Sequence, residues 1–137
     1  MKRSILMVAT CALLLGTMSC KPPDYNEYST LEELCEAAEH NERVKVSGVL
    51  KLPGAVIEHD NRYRVLLVMD INQDQPAMTL MIKEGKSKNR MQTLPESYTY
   101  ADFVVQTADG RTVGHGDAVT ISGQYLSGCL MSADVIE

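Results

Sequence analysis

Tryptophan is absent from the 137 residues, and Phe103 is the single phenylalanine. Proteins that hold single-stranded nucleic acid rely on aromatic platforms for base stacking, and this chain has little to build one from. It also lacks a basic balance. Thirteen Lys and Arg stand against 18 Asp and Glu, for a net charge of −5, which argues against a non-specific nucleic-acid footprint. After the first 20 residues no apolar run is long enough to cross a bilayer. His40, His59 and His115 lie far apart with no partner at ligand spacing, so no metal site is expected. No nucleophile elbow, phosphate-binding loop or dinucleotide fingerprint occurs. The expectation is a protein that is not an enzyme and carries no cofactor. Internal repeats and low-complexity tracts are missing too.

What is present begins at the N-terminus. Met1-Lys2-Arg3 precedes an apolar run from Ile5 to Leu15, and Gly16-Thr17-Met18-Ser19-Cys20 follows. A basic start, a short apolar stretch and small residues before a cut mark an export signal. With a cysteine at the cut, the segment resembles the signal of a bacterial lipoprotein. The resemblance implies that residues 1–19 are removed and that Cys20 becomes the lipidated first residue. Two or more acyl chains give stable anchoring. In bacteria that sort by the next position, an Asp favours the inner membrane, so Lys21 points to the outer one. The expected location is the cell envelope, with a membrane as partner through the lipid on Cys20. Loss of residues 1–19 removes Lys2 and Arg3 and no acid, leaving 118 residues with 11 basic against 18 acidic groups, net −7. That length suits one domain.

Four cysteines are present. Cys11 leaves with the signal and Cys20 takes lipid. Cys35 and Cys129 remain in a compartment where disulfides persist, and they are expected to pair. The alternative is two buried free thiols, since cysteine often packs as a small hydrophobe.

Residues 20–29 read as a tether, because Pro22 and Pro23 fit neither a regular helix nor a central strand. The domain is expected over 30–137. Thr30-Leu31-Glu32-Glu33 fits a capping box, and a helix should run to about His40 with Leu31, Leu34, Cys35 and Ala38 on one face. Beyond Asn41 the apolar period becomes two. Val44, Val46, Gly48, Leu50 and Leu52 define one strand, with Gly48 marking a bulge or bend. Tyr63, Val65, Leu67 and Met69 define a second from Arg62 to Asp70. Leu80 and Ile82 define a third over about 78–84. A hairpin is expected around Ala108-Asp109-Gly110. Val119, Ile121, Gly123 and Tyr125 mark a further strand, and Cys129 to Ile136 the last.

Short period-two strands, internal glycines and an all-antiparallel look predict an all-β fold with one N-terminal helix: a five-stranded barrel with an insertion between strands three and four. Val44-Lys45-Val46-Ser47-Gly48-Val49-Leu50, Tyr63-Arg64-Val65-Leu66-Leu67, Gly116-Asp117-Ala118-Val119-Thr120-Ile121-Ser122-Gly123 and Leu130-Met131-Ser132-Ala133-Asp134 carry a further likeness. Through them the chain resembles the bacterial OB-fold families, most of all the tRNA-anticodon-like OB domains of exported proteins. The match covers roughly 43–84 and 114–137. The segment 85–113 exceeds the usual link and has no assigned place.

OB-folds commonly bind ligands on the outward face of the early strands. Here that face is expected to carry Arg43, Lys45, Lys51, Arg62, Arg64 and Lys83, with Val49, Leu66, Val68 and Met81 among them. One reading is a ligand face built on Arg43, Lys45, Arg62, Arg64, Met81 and Lys83. The other is solvated charge guarding sheet edges, or a surface covered by the helix or the insertion. Asp70-Ile71-Asn72-Gln73-Asp74 opens like a calcium loop, but Gln75 and Met81 stand where Gly and Glu are needed, so a plain turn is expected. The functional expectation is a non-catalytic, membrane-anchored binding module. Its partner is another envelope protein or an anionic glycan, with nucleic acid the weakest candidate.

Overall fold

Alternating apolar side chains build the wall of a closed barrel. The computed structural model describes residues 24–137; the segment expected to be an export signal, Cys20 and Lys21 lie outside the described residues. The chain runs through β1 (Asn26–Glu27), α1 (Leu31–Ala37), β2 (Arg43–Lys51), β3 (Ile57–His59), β4 (Arg62–Val68) and β5 (Ala77–Lys83). It continues through β6 (Arg90–Met91), a 3-10 turn (Tyr100–Asp102), β7 (Val105–Gln106), β8 (Thr112–Val113), β9 (Ala118–Tyr125) and β10 (Leu130–Ile136).

Five of these strands close on themselves. β2 pairs with β4, β4 with β5, β5 with β10, β10 with β9, and β9 with β2 again. Counted along the chain, the barrel order is 1-2-3-5-4-1, the five-stranded OB-fold. The all-antiparallel expectation needs correction, because β5 and β10 run parallel, as do β1 and β2. A parallel pair requires a crossover. The segment between β5 and β9 carries the chain across one end of the barrel, and β9 returns it to the other end, where β10 begins.

The wall interior holds Val44, Val46, Leu50, Val65, Leu67, Leu80, Ile82, Ile121 and Met131, all buried. α1 covers the end where β2 begins. Thr30 caps it, its hydroxyl accepting from the Glu33 N–H at 3.1 Å; the return bond from Glu33 is absent among the described residues. The helix is shorter than expected, because Ala38 already has extended backbone (φ −70°, ψ 141°). It is held by its two fully buried leucines, Leu31 and Leu34, each worth about 1.5–3 kcal/mol of burial. A disulfide joins Cys35 to Cys129 in the β9–β10 turn, with Cα atoms 4.8 Å apart.

The insertion covers the opposite end. β6, β7 and β8 form a small antiparallel sheet that sends Met91, Phe103, Val105 and Val113 into the same core. The Tyr63 hydroxyl fastens it, donating to Glu84 Oε2 at 2.8 Å and accepting from the Leu94 N–H at 3.0 Å. Burial, with Glu84 and Glu58 beside the hydroxyl, pushes the Tyr63 phenol up to about 12, so it remains a donor across the neutral range. In the β7–β8 turn, hydrogen bonds from the Thr107 hydroxyl and the Arg111 N–H bring the Asp109 carboxyl down to about 2.

Three further expectations are revised. β1 lies parallel on β2, with Asn26 opposite Val44, so part of the expected 20–29 tether belongs to the sheet. At the end of β4 the alternation slips: Val68 is fully buried and Met69 is exposed, the reverse of the period-two reading. Gly48 marks no bulge, since the β2–β9 register is continuous through it. It marks the place where β2 passes against β4, and a Cβ there would stand 2.7 Å from Leu67 Cγ.

Candidate functional site

The pleat of β4 turns Tyr63, Val65 and Leu67 inward and leaves Arg62, Arg64 and Leu66 partly exposed outside. Cross-strand partners share a face, with Cβ atoms about 4.5–5.5 Å apart. One outer row therefore reads His59, Arg62, Lys83 across β3, β4 and β5. The next reads Ile57, Arg64, Met81. Four basic side chains thus share one surface with Ile57, which is 57% exposed, and the half-buried Met81.

Neither arginine has found an acceptor for its Nε. In both Arg62 and Arg64 this atom is buried and makes no hydrogen bond among the described residues. Neither these two nor Lys83 forms an ion pair among the described residues, whose four pairs involve Lys45, Lys51, His59 and Arg111. Lys51 is neutralised by Asp74 at 3.0 Å. His59 Nε2 lies 3.2 Å from Asp60.

The structure divides the ligand face read from sequence. Arg62, Arg64, Met81 and Lys83 come together. Arg43 and Lys45 do not join them, because the first half of β2 is flanked by β9 and β1 rather than by β4. From Arg64 the row reaches Arg43 only through Met81, Ser132 and Gln124. Lys45 also faces Glu27 at 3.8 Å. On this face Arg62, Arg64 and Met81 are half-buried and Lys83 is exposed.

β3 was missed by sequence. All three of its residues are exposed, so no alternation announces it. It nevertheless places Ile57 and His59 beside the arginines. Asp70–Asp74 is a turn in which Asp70 Oδ1 accepts from the Asn72 N–H at 2.9 Å. No cluster of three or more His, Cys, Asp or Glu able to hold a metal occurs among the described residues. Also unread in the sequence is an aromatic pair, Tyr100 stacked on His115. The two are 15 positions apart and meet only because the insertion folds back toward the β2–β3 loop.

No protein-family model matches the chain, and no curated protein matches it significantly. Among solved structures, it is similar to the telomere capping protein Ten1 from Saccharomyces pombe, at 7% identity and a TM-score of 0.43, over 83% of this chain and 80% of that one. It is likewise similar to a chain of the S. pombe Stn1–Ten1 complex, at 7% identity and a TM-score of 0.44, over 87% and 80%. The OB-fold assignment rests on the strand pairings above, and these likenesses carry nothing about ligand or partner.

Proposed function

We propose that this chain is a lipid-anchored protein of the bacterial envelope, held through Cys20, whose non-catalytic OB-fold domain binds an anionic oligosaccharide on the outer face of β4 and β5. The observation that carries the reading is the pair Arg62 and Arg64, alternate outward residues whose buried Nε groups have no acceptor. A buried donor left unpaired costs about 1–3 kcal/mol, and both side chains remain part-exposed on the outer face, where their guanidinium ends can meet a ligand carboxylate or sulfate. The arginine fork suits such oxyanions. Lys83 and His59 add charge beside it. The acidic chain as a whole and the absence of Phe, Tyr and Trp from these two rows disfavour nucleic acid. Exposed Ile57 on the same surface supports a second reading, docking of an acidic envelope protein.

Binding of an anionic oligosaccharide to the full chain in a sugar-free detergent should weaken steeply with salt. Arg62→Ala and Arg64→Ala should each lower affinity about tenfold, the size of one charge-assisted hydrogen bond. Absence of binding at low salt would remove the glycan reading, and capture of an acidic envelope protein dependent on both arginines would favour the second. The anchor has its own test. Cys20→Ser should move the protein from the membrane to the soluble fraction of the cells, whereas unchanged membrane retention would contradict lipid attachment there.

A further inference from the structure

A second surface, outside the basic rows, has the build of a binding site. A cleft of about 290 Å³ opens between the β2–β3 loop and the insertion, lined by Leu52, Pro53, Gly54, Tyr98, Thr99 and Tyr100. Tyr100 is 62% exposed, unusual for so large an apolar ring. Its ring is fixed nonetheless. His115 stacks against it with centroids 3.9 Å apart and planes 5° from parallel. His115 is tied to the loop in turn, its Nδ1 accepting from the Leu52 N–H at 3.0 Å. On the other side of the cleft, the Tyr98 hydroxyl accepts from the Val56 N–H at 2.9 Å. The turn carrying Tyr100 is closed by Asp102 Oδ2, which accepts from the Thr99 N–H at 2.8 Å. Two loops thus hold one flat ring with one face covered and the other open, so binding on it requires little ordering of the protein.

The geometry points to a neutral saccharide unit as the occupant. The face of an aromatic ring is electron-rich and attracts the slightly positive hydrogens of a C–H surface, which the flat side of a pyranose presents. The cleft edges offer what sugar hydroxyls need, the Thr99 hydroxyl and the backbone of the Pro53–Gly54 bend. No Lys or Arg lines the cleft, and the Asp102 carboxylate lies against Thr99. A nucleotide would stack equally well but would bring its phosphate toward that carboxylate with no cation to receive it. The site is separate from the arginine rows, and its occupant does not depend on them.

The test is an amide-shift titration of the full chain in a detergent without a sugar headgroup, using neutral chito- and cello-oligosaccharides. Either sugar should perturb Leu52, Gly54, Tyr98 to Tyr100 and His115. Tyr100→Ala should weaken binding about tenfold, an effect at the upper end of aromatic contacts, while Tyr100→Phe, which keeps the ring, should bind as the parent does. Arg62→Ala should leave these shifts unchanged, which separates this site from the anionic one. The inference is overturned if neither neutral sugar perturbs the cleft at millimolar concentration, if a mononucleotide does so instead, or if Tyr100→Ala binds normally while retaining the parent's dispersed spectrum.

Discussion

Gly123→Ala is expected to cost more than about 3 kcal/mol, beyond the usual range for one added methyl group. Gly123 lies on β9 opposite Ala133, just where the β9–β10 register shifts between Ala133 and Val135. A Cβ on it would stand 1.9 Å from the Ser132 carbonyl oxygen, 3.0 Å from the Ser132 carbonyl carbon and 3.1 Å from the Asp134 nitrogen. All three are backbone atoms of the paired strand, so no side chain can swing aside, and relief requires the strands to part. Parting them opens the barrel along the β9–β10 pairing. Two other glycines provide a scale. Gly48→Ala meets Leu67 Cγ at 2.7 Å and the Val68 carbonyl oxygen at 3.0 Å; the leucine can partly yield and the one backbone contact is far looser than that at Gly123, so about 1–3 kcal/mol is expected. Gly54→Ala meets nothing within 4 Å and should stay within about 0.5 kcal/mol of the parent. Urea midpoints for the three variants should fall in that order. If Gly123→Ala unfolds at the same midpoint as Gly54→Ala, the close approach of β9 and β10 does not exist in solution.

Loss of the disulfide should be the other severe change. Cys35 and Cys129 are 94 positions apart, and a cross-link closing so long a loop is worth about 4–5 kcal/mol in the chain-entropy account. In this fold it also joins parts with few other bonds. α1 has seven residues, too few to persist alone in water, and its hold is Leu31, Leu34 and the covalent link. The turn it grips is also held by the Cys129 N–H donating to the Tyr125 hydroxyl at 2.9 Å. Adding a reductant, or the double change Cys35→Ser and Cys129→Ser, should lower the melting temperature by roughly 15 °C, given how unfolding entropy scales with a domain of this size. An unshifted melt after complete reduction would mean that the helix end is held by packing alone.

These two predictions draw on different kinds of knowledge. The cysteines could be singled out from the chain itself, because the N-terminal segment resembles an export signal and leaves only two residues to pair. Gly123 could not be singled out from Gly48 or Gly54 without knowing what stands opposite each. The same contrast runs through the fold. The five barrel strands were legible because each has one wet face and one dry face, so the alternation is written into the residues. β3 was not, since Ile57, Glu58 and His59 are all exposed and carry no alternation. The insertion was not, since Met91, Phe103, Val105 and Val113 enter the core from two-residue strands and a loop, too short to show any period. Val68 was misjudged because β4 ends where β2 crosses it, and contact there outweighs the pleat.

For the ligand face, sequence supplied the charges and tertiary structure chose among them. Arg62 and Arg64 share a face because two positions along a strand always do. Lys83, Met81 and His59 join them only through the registers of β5 and β3, while Arg43 and Lys45 are taken away by β9 and β1. The sheet's parallel seam, β5 against β10, is invisible to periodicity, because alternation is the same whichever way the neighbouring strand runs. Inside and outside are properties of single residues and their immediate spacing, so the chain declares them locally. Closure, register and the meeting of Tyr100 with His115 are relations between distant segments, and they exist only once the barrel has brought those segments together.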